Sequence, residues 1–115
     1  NNSTFTATTW FRSGQNNWGV PFTKYLIAGD FNDDGKDELS AMYDYGQNDM
    51  ALMVFSANNS TFTATTWFRS GQNNWSVPNT KFVSSGDYNR DGISEISTLY
   101  DYGSADMAIL VFKPY

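Results

Sequence analysis

Asp30, Asn32, Asp34 and Glu38 place oxygen-bearing side chains at positions 1, 3, 5 and 9 of the run Asp30-Phe31-Asn32-Asp33-Asp34-Gly35-Lys36-Asp37-Glu38. Gly35 occupies position 6, and Lys36 offers its backbone carbonyl at position 7. Hard carboxylate, amide and carbonyl oxygens at this spacing form a cage for a hard cation, calcium above all. The pattern recurs at Asp87, Asn89, Asp91, Gly92 and Glu95, with the carbonyl of Ile93 at position 7. The two copies differ at positions 33, 36 and 37, and in Phe31 against Tyr88, where no side-chain ligand is expected. Five acids lie within residues 30–38, and they repel one another unless a cation or solvent compensates them. An EF-hand is excluded, because its position-12 glutamate is replaced by Ala41 and Thr98. The alternative is a metal-free turn in which Asp and Asn side chains cap their own backbone amides.

A second set of residues suits sugar recognition. Trp18 sits in the loop Ser13-Gly14-Gln15-Asn16-Asn17-Trp18 beside Arg12, and Trp75 sits in the matching loop with Arg69, Gln72, Asn73 and Asn74. An indole face stacks on the C–H face of a pyranose, while amides and a guanidinium exchange hydrogen bonds with its hydroxyls. Arg12, Gln15, Asn17 and Trp18, with Arg69, Gln72, Asn74 and Trp75, are therefore the candidate carbohydrate-binding residues. The competing reading makes each loop a structural clasp plugged by its Trp into the neighbouring unit. Trp10 and Trp67 fit interface packing, and Asp44 and Asp101 in Tyr43-Asp44-Tyr45-Gly46 and Tyr100-Asp101-Tyr102-Gly103 either accept sugar hydroxyls beside aromatic faces or cap the next turn, with the cap favoured.

The elements that must position these residues are repeated. Residues 1–57 and 58–115 align at an offset of 57, with 38 identities. The first 18 positions, NNSTFTATTWFRSGQNNW, are all identical, whereas the remaining 39 share 20. A period of this length predicts propeller blades or another repeat architecture, whose units pack on one another because each alone buries too little surface. Each repeat reads as four short strands: 22–28, 39–45, 50–55 and 60–68, separated by turn-rich segments. The run Met50–Phe55 is apolar on both faces, as a strand sandwiched between sheets requires. The composition, 17% aromatic and rich in Thr, Ser, Asn and Gly, favours strands and tight turns, and no segment fits a helix.

The segments GDFNDDGKDEL and GDYNRDGISEI, followed by MYDYG and LYDYG, resemble the FG-GAP or VCBS-type repeats of integrin-like β-propellers, as found in tandem in secreted bacterial proteins. The resemblance covers both copies almost entirely. It implies an all-β fold of four-stranded antiparallel blades in which the Asp/Asn loops often hold calcium. Members of that family include lectins, adhesion modules and appendages of larger enzymes. Glu38 and Glu95 stand where Asp is commoner, which keeps the carboxylate and lengthens its reach.

In this frame residues 3–11 form the outer strand of a blade whose first three strands are missing, and residues 80–112 form three strands without a fourth. Two blades cannot close a ring, since propellers use about 4 to 8, and open strand edges invite pairing. Closure between chains is expected: a homo-oligomer of three chains with six blades, or of four with eight. The alternative is that the chain is a piece of a longer propeller, natural or engineered.

The absence of His and Cys removes the commonest general base, the commonest zinc ligand and every disulfide. Duplicated equal sites favour multivalent binding over catalysis, so no enzyme activity is expected. A net charge of −5 with seven scattered Lys and Arg argues against nucleic acid. No stretch approaches the ~18 apolar residues of a membrane span, and the polar Asn1-Asn2-Ser3 is no signal-peptide pattern. The expectation is a secreted, multivalent, calcium-containing lectin for glycans. The alternatives are a protein-binding adhesion or assembly module, or a designed propeller scaffold without ligand.

Overall fold

The computed structural model describes residues 4–114. Strands β1 (Thr23–Gly29), β2 (Glu38–Gly46), β3 (Asp49–Asn58) and β4 (Thr61–Arg69) form one antiparallel sheet in the order β1-β2-β3-β4. Strands β5 (Thr80–Gly86), β6 (Glu95–Gly103) and β7 (Asp106–Phe112) form a second sheet in the order β5-β6-β7. The fold is all-β, with two blade-like antiparallel sheets of four and three strands. A single chain does not close a ring.

Local chemistry explains the hairpins. Gln47 and Asn48 between β2 and β3, and Ser104 and Ala105 between β6 and β7, all take positive φ near 55–60°. Two successive left-handed residues are the signature of the type I′ turn, whose twist matches the flanking strands. In the first hairpin Asn48 tolerates that region readily, and Gly46 before it also takes positive φ. Segments read as irregular loops contain single 3-10 turns at Val20–Phe22 and Val77–Asn79. Pro21 and Pro78 stand in the first turn, where a missing N–H costs nothing.

The core lies between the two sheets rather than within either. Phe31, Met42, Met50 and Leu52 of the first repeat meet Val77 and Ile96 of the second, all buried. Tyr25, Ile27, Trp75, Val83 and Phe112 pack around them. As the apolar run predicts, Met50–Phe55 of β3 is buried on both faces apart from the half-buried Met53. Burying side chains of this size stabilises the pair of sheets by about 1.5–3 kcal/mol for each large one. Backbone and side-chain hydrogen bonds bridge the sheets as well: Tyr25 Oη donates to the Thr80 carbonyl, Ser85 Oγ to the Ala28 carbonyl, and Ser94 N to the Asp30 carbonyl.

The outer strand expected at residues 3–11 needs the sheet of a second chain, which a single chain does not supply. Ser3 lies outside the described residues, and residues 4–11, read as an outer strand, form no ladder. Their one backbone link to the strands runs from Phe62 N to the Trp10 carbonyl, at 2.8 Å. The identical sequence at Thr61–Arg69 is strand β4, because β3 lies beside it and supplies donors and acceptors. Strand formation here depends on the neighbouring edge, as β propensity in general does.

Candidate functional site

The acidic loops connect β1 to β2 and β5 to β6, at equivalent corners of the two sheets. In the first loop Asp34 N donates to Asp30 Oδ1 at 3.1 Å and to Asn32 Oδ1 at 3.2 Å. Gly35 N donates to Asp30 Oδ2 at 2.9 Å, and Lys36 N donates to Asp34 Oδ1 at 2.9 Å. The second loop repeats all four bonds with Asp87, Asn89, Asp91, Gly92 and Ile93. Asp33 and Arg90 at position 4, and Gly35 and Gly92 at position 6, take positive φ. This folds the chain around the carboxylates, and the capping predicted for a metal-free turn is therefore present.

The closing glutamates are less exposed than the rest. Glu38 and Glu95 start β2 and β6 and are buried, with Glu38 Oε1 accepting from Phe31 N at 2.8 Å and Glu95 Oε1 from Tyr88 N at 2.9 Å. Glu95 Oε2 is buried without a hydrogen-bond partner among the described residues. Burial pushes the Glu38 carboxyl above its ordinary range, and Asp34 and Asp30 add to the rise. The N–H of Ile93 holds Asp91 below its ordinary range. Carboxylate oxygens of Asp30, Asp34 and Glu38 lie within 4.8 Å of one another, as do those of Asp87, Asp91 and Glu95. A divalent cation fits such a donor set. It would answer both the mutual repulsion and the orphaned Glu95 oxygen. Asn32 and Asn89 belong to the same loops and bond to backbone, while Lys36 and Ile93 offer only carbonyls.

The candidate sugar loops follow a different logic. Arg69 at the end of β4 places Nε 3.1 Å from Asp49 Oδ1 and Nη2 2.7 Å from Asp49 Oδ2. Its guanidinium lies 3.8 Å over the ring of Tyr45. Asp49 also accepts from Gly71 N at 3.0 Å, and Ser70 Oγ accepts from Met50 N at 2.9 Å. The loop continues along the β2–β3 turn: Asn73 N donates to the Gln47 carbonyl, and Asn74 N and Trp75 N both donate to that of Asn48. Asn74 Nδ2 is taken up by the Ser70 carbonyl. Gln72 is exposed, and its amide has no protein partner among the described residues.

The structure gives the indoles a packing role. Trp75 Nε1 donates to Thr80 Oγ1 at 2.9 Å, and the ring packs on Tyr100 and Phe112 at centroid distances of 5.1 and 5.4 Å. Trp18 repeats this on Thr23, Tyr43 and Phe55. Of the two readings of these tryptophans, the clasp matches the observed contacts, and their side chains are only partly open to solvent. Arg12, Gln15 and the backbone around Asn17 stay on the surface, where Asn17 Nδ2 bonds to the Ser13 carbonyl. Trp10 and Trp67 are partly exposed rather than buried: the Trp10 ring packs on Phe62 at 5.2 Å, and Trp67 lines an apolar cleft of about 640 Å³ between the sheets. Asp44 and Asp101 cap their turns through Gly46 N and Gly103 N, both at 2.8 Å.

Asp49 escaped the sequence reading, although it recurs as Asp106. That recurrence of a lone acid after a turn was the available signal. Compared with known protein families, curated proteins and solved structures, the chain matches none.

Proposed function

We propose that the chain is a non-enzymatic, multivalent carbohydrate-binding module of the FG-GAP/VCBS propeller type, secreted, with structural calcium in the loops at Asp30–Glu38 and Asp87–Glu95. The observation that carries the calcium assignment is the pair of three-carboxylate clusters, each closed by a buried glutamate, with one oxygen unpaired among the described residues. Its role is to neutralise the loops and hold the β1–β2 and β5–β6 corners in shape. No step of chemistry passes through it.

The glycan reading rests on the surface at the ends of β2 and β4. There Arg69 spreads over Tyr45 with an exposed edge, and Gln72, in the loop that follows Arg69, offers an exposed amide with no partner among the described residues. Arg12 and Gln15 are the counterparts of Arg69 and Gln72 in the other copy, with Asn17 in the same loop. Planar amide and guanidinium groups beside an aromatic ring suit vicinal hydroxyls, and duplication suits a multivalent cell-surface target. The alternative is adhesion to a protein through the same surface.

A glycan array probed with labelled protein, once in calcium and once in chelator, tests the reading. Selective binding that falls in chelator is the expected result. Binding that survives chelation removes calcium from the site's architecture. A blank array in both conditions rejects the lectin assignment in favour of a protein partner.

A further inference from the structure

The molecule exposes two surfaces that are the separated halves of its own internal joint. In the first sheet Met50, Leu52 and Val54 are 0%, 4% and 1% exposed beneath the second sheet. Their counterparts in the second sheet, Met107, Ile109 and Val111, are 54%, 61% and 53% exposed. On the opposite side, Val77 of the second repeat is 5% exposed in the joint, whereas its counterpart Val20 is 76% exposed. Phe31 is buried there, and its counterpart Tyr88 is open.

The edge of the second sheet shows the same incompleteness. Beside β3, strand β4 brings Arg69 to Asp49, Ser70 Oγ to Met50 N and Gly71 N to Asp49. Asp106 and Met107 are the equivalent positions on β7, and the exposed Asp106 carboxylate has no hydrogen-bond or ion-pair partner among the described residues. Arg12, Ser13 and Gly14 carry the matching chemistry in an identical sequence, and Arg12 forms no ion pair among the described residues.

Residues 11–18 are already seated as their counterparts are. Phe11 packs on Phe55 at 5.1 Å, as Phe68 packs on Phe112 at 5.0 Å. Trp18 Nε1 bonds to Thr23 as Trp75 Nε1 bonds to Thr80. Gly19 N reaches Tyr43 Oη as Ser76 N reaches Tyr100 Oη. The clasp is thus fixed at one end, and residues 4–10 lead from it outside any ladder, held to β4 by the bond from Phe62 N to the Trp10 carbonyl.

We propose that residues 4–12 of one copy add as the fourth strand to β7 of a second copy, in the register that β3 and β4 display. That register pairs Val54 with Thr65. Shifted by the repeat offset of 57, it sets Thr8 opposite Val111 and seats Arg12 on Asp106 of the neighbouring copy. Val20 and Leu26 of the first copy then cover Ile109 and Val111 of the second, reproducing the internal joint head to tail. The same step completes the candidate rim, since Arg12 would lie over Tyr102 of the second copy as Arg69 lies over Tyr45. It also accounts for the full identity of the first 18 positions of each repeat: both copies of the segment must fit one kind of socket. The docking rests on the propeller reading and not on the lectin assignment.

Two measurements that involve no sugar test it. The first mixes chains carrying Thr8→Cys with chains carrying Val111→Cys under mild oxidation, in a protein that has no cysteine of its own. Directly opposed strand residues lie at ~4.5–5.5 Å between Cα atoms, within disulfide reach. The expected product is a covalent pair of twice 12.9 kDa that forms far more in the mixture than in either chain alone. The second compares solution masses at micromolar concentration. The parent is expected as a multiple of the single chain, Arg12→Asp as smaller species with unchanged circular dichroism, and Arg12→Asp with Asp106→Arg in one chain as restored assembly. A parent of single-chain mass, or no preferential cross-link in the mixture, overturns the proposal.

Discussion

Arg69 and Asp49, twenty residues apart, are joined by two parallel hydrogen bonds of 3.1 and 2.7 Å at the point where β4 leaves the sheet. The carboxylate is buried, whereas half of the guanidinium side chain faces solvent. Asp49 binds the strand end and the loop beyond it at once, because Gly71 N and Ser70 Oγ share the same oxygen. The pair acts as a latch between the outer strand and the clasp that carries Trp75.

The latch predicts an acid limb in the stability profile. Hydrogen bonds from Arg69, its charge and the N–H of Gly71 hold Asp49 below its ordinary value of 3.8. A carboxyl depressed in the folded state contributes stability above its unfolded pKa, and the contribution is lost as pH falls through the folded pKa. Asp91, also depressed, acts with the same sign. Urea midpoints should therefore drop as pH is lowered below about 4. In Asp49→Asn the protein should be weaker at neutral pH and the drop shallower. An equally steep drop in that variant would place the acid sensitivity elsewhere.

The buried glutamates predict a metal-dependent trade. Without a cation, Glu95 holds a buried carboxylate oxygen that has no partner among the described residues, and such burial is costly. Calcium at a hundredfold over its Kd should stabilise the fold by about 2.7 kcal/mol per site, read as a higher thermal midpoint that chelator reverses. Glu95→Gln keeps the shape and removes the charge. Its midpoint in chelator should match or exceed that of the parent, with the calcium-induced gain reduced to that of the first loop. A parent midpoint indifferent to chelator removes the metal from the account.

The strands, the hairpin turns and the acidic loops were legible because each is written locally. Alternation and β-branched runs mark β1 to β7, and Asp-x-Asn-x-Asp-Gly marks the loops. What was not legible depends on a neighbour. Residues 4–11 and 61–68 share one sequence yet only the second lies in a strand, since only it has β3 beside it. Trp18 and Trp75 read equally as sugar platforms or plugs until Thr23 and Thr80 were found accepting their Nε1 protons. Tyr25 is a sharper case: the bulge between Lys24 and Leu26 gives it a φ of 56°, a region that costs a side-chain-bearing residue about 1–2 kcal/mol. The strain is met by a hydrogen bond to Thr80 in the other sheet, which a local reading of the segment TKYLIA does not contain. In β5 the register shift instead leaves Lys81 unpaired.

Two glycines separate strain from crowding as sources of stability in the joint. Gly35 sits in the first acidic loop at a φ of +82°, and a Cβ there would meet nothing within 4 Å. Gly35→Ala therefore carries only the backbone cost, about 1–2 kcal/mol. Gly29, at the end of β1, has an ordinary φ but no room: a Cβ would lie 2.9 Å from Ser94 Cβ and 3.0 Å from the ring of Phe31. Ser94 ends the second acidic loop just before β6 and is tied by its N–H to the Asp30 carbonyl, and Phe31 belongs to the buried core, so neither can yield without moving the sheets apart. Overpacking of this kind costs about 1–3 kcal/mol or more, and it falls on the contact that both sheets share. Chemical denaturation should show Gly29→Ala losing at least as much stability as Gly35→Ala. The loss should include solvent exposure of Trp75, detected as a shift in tryptophan fluorescence below the unfolding transition. A Gly29→Ala protein with parental midpoint and parental fluorescence would mean that the two sheets are not packed as closely as Phe31 and Ser94 require.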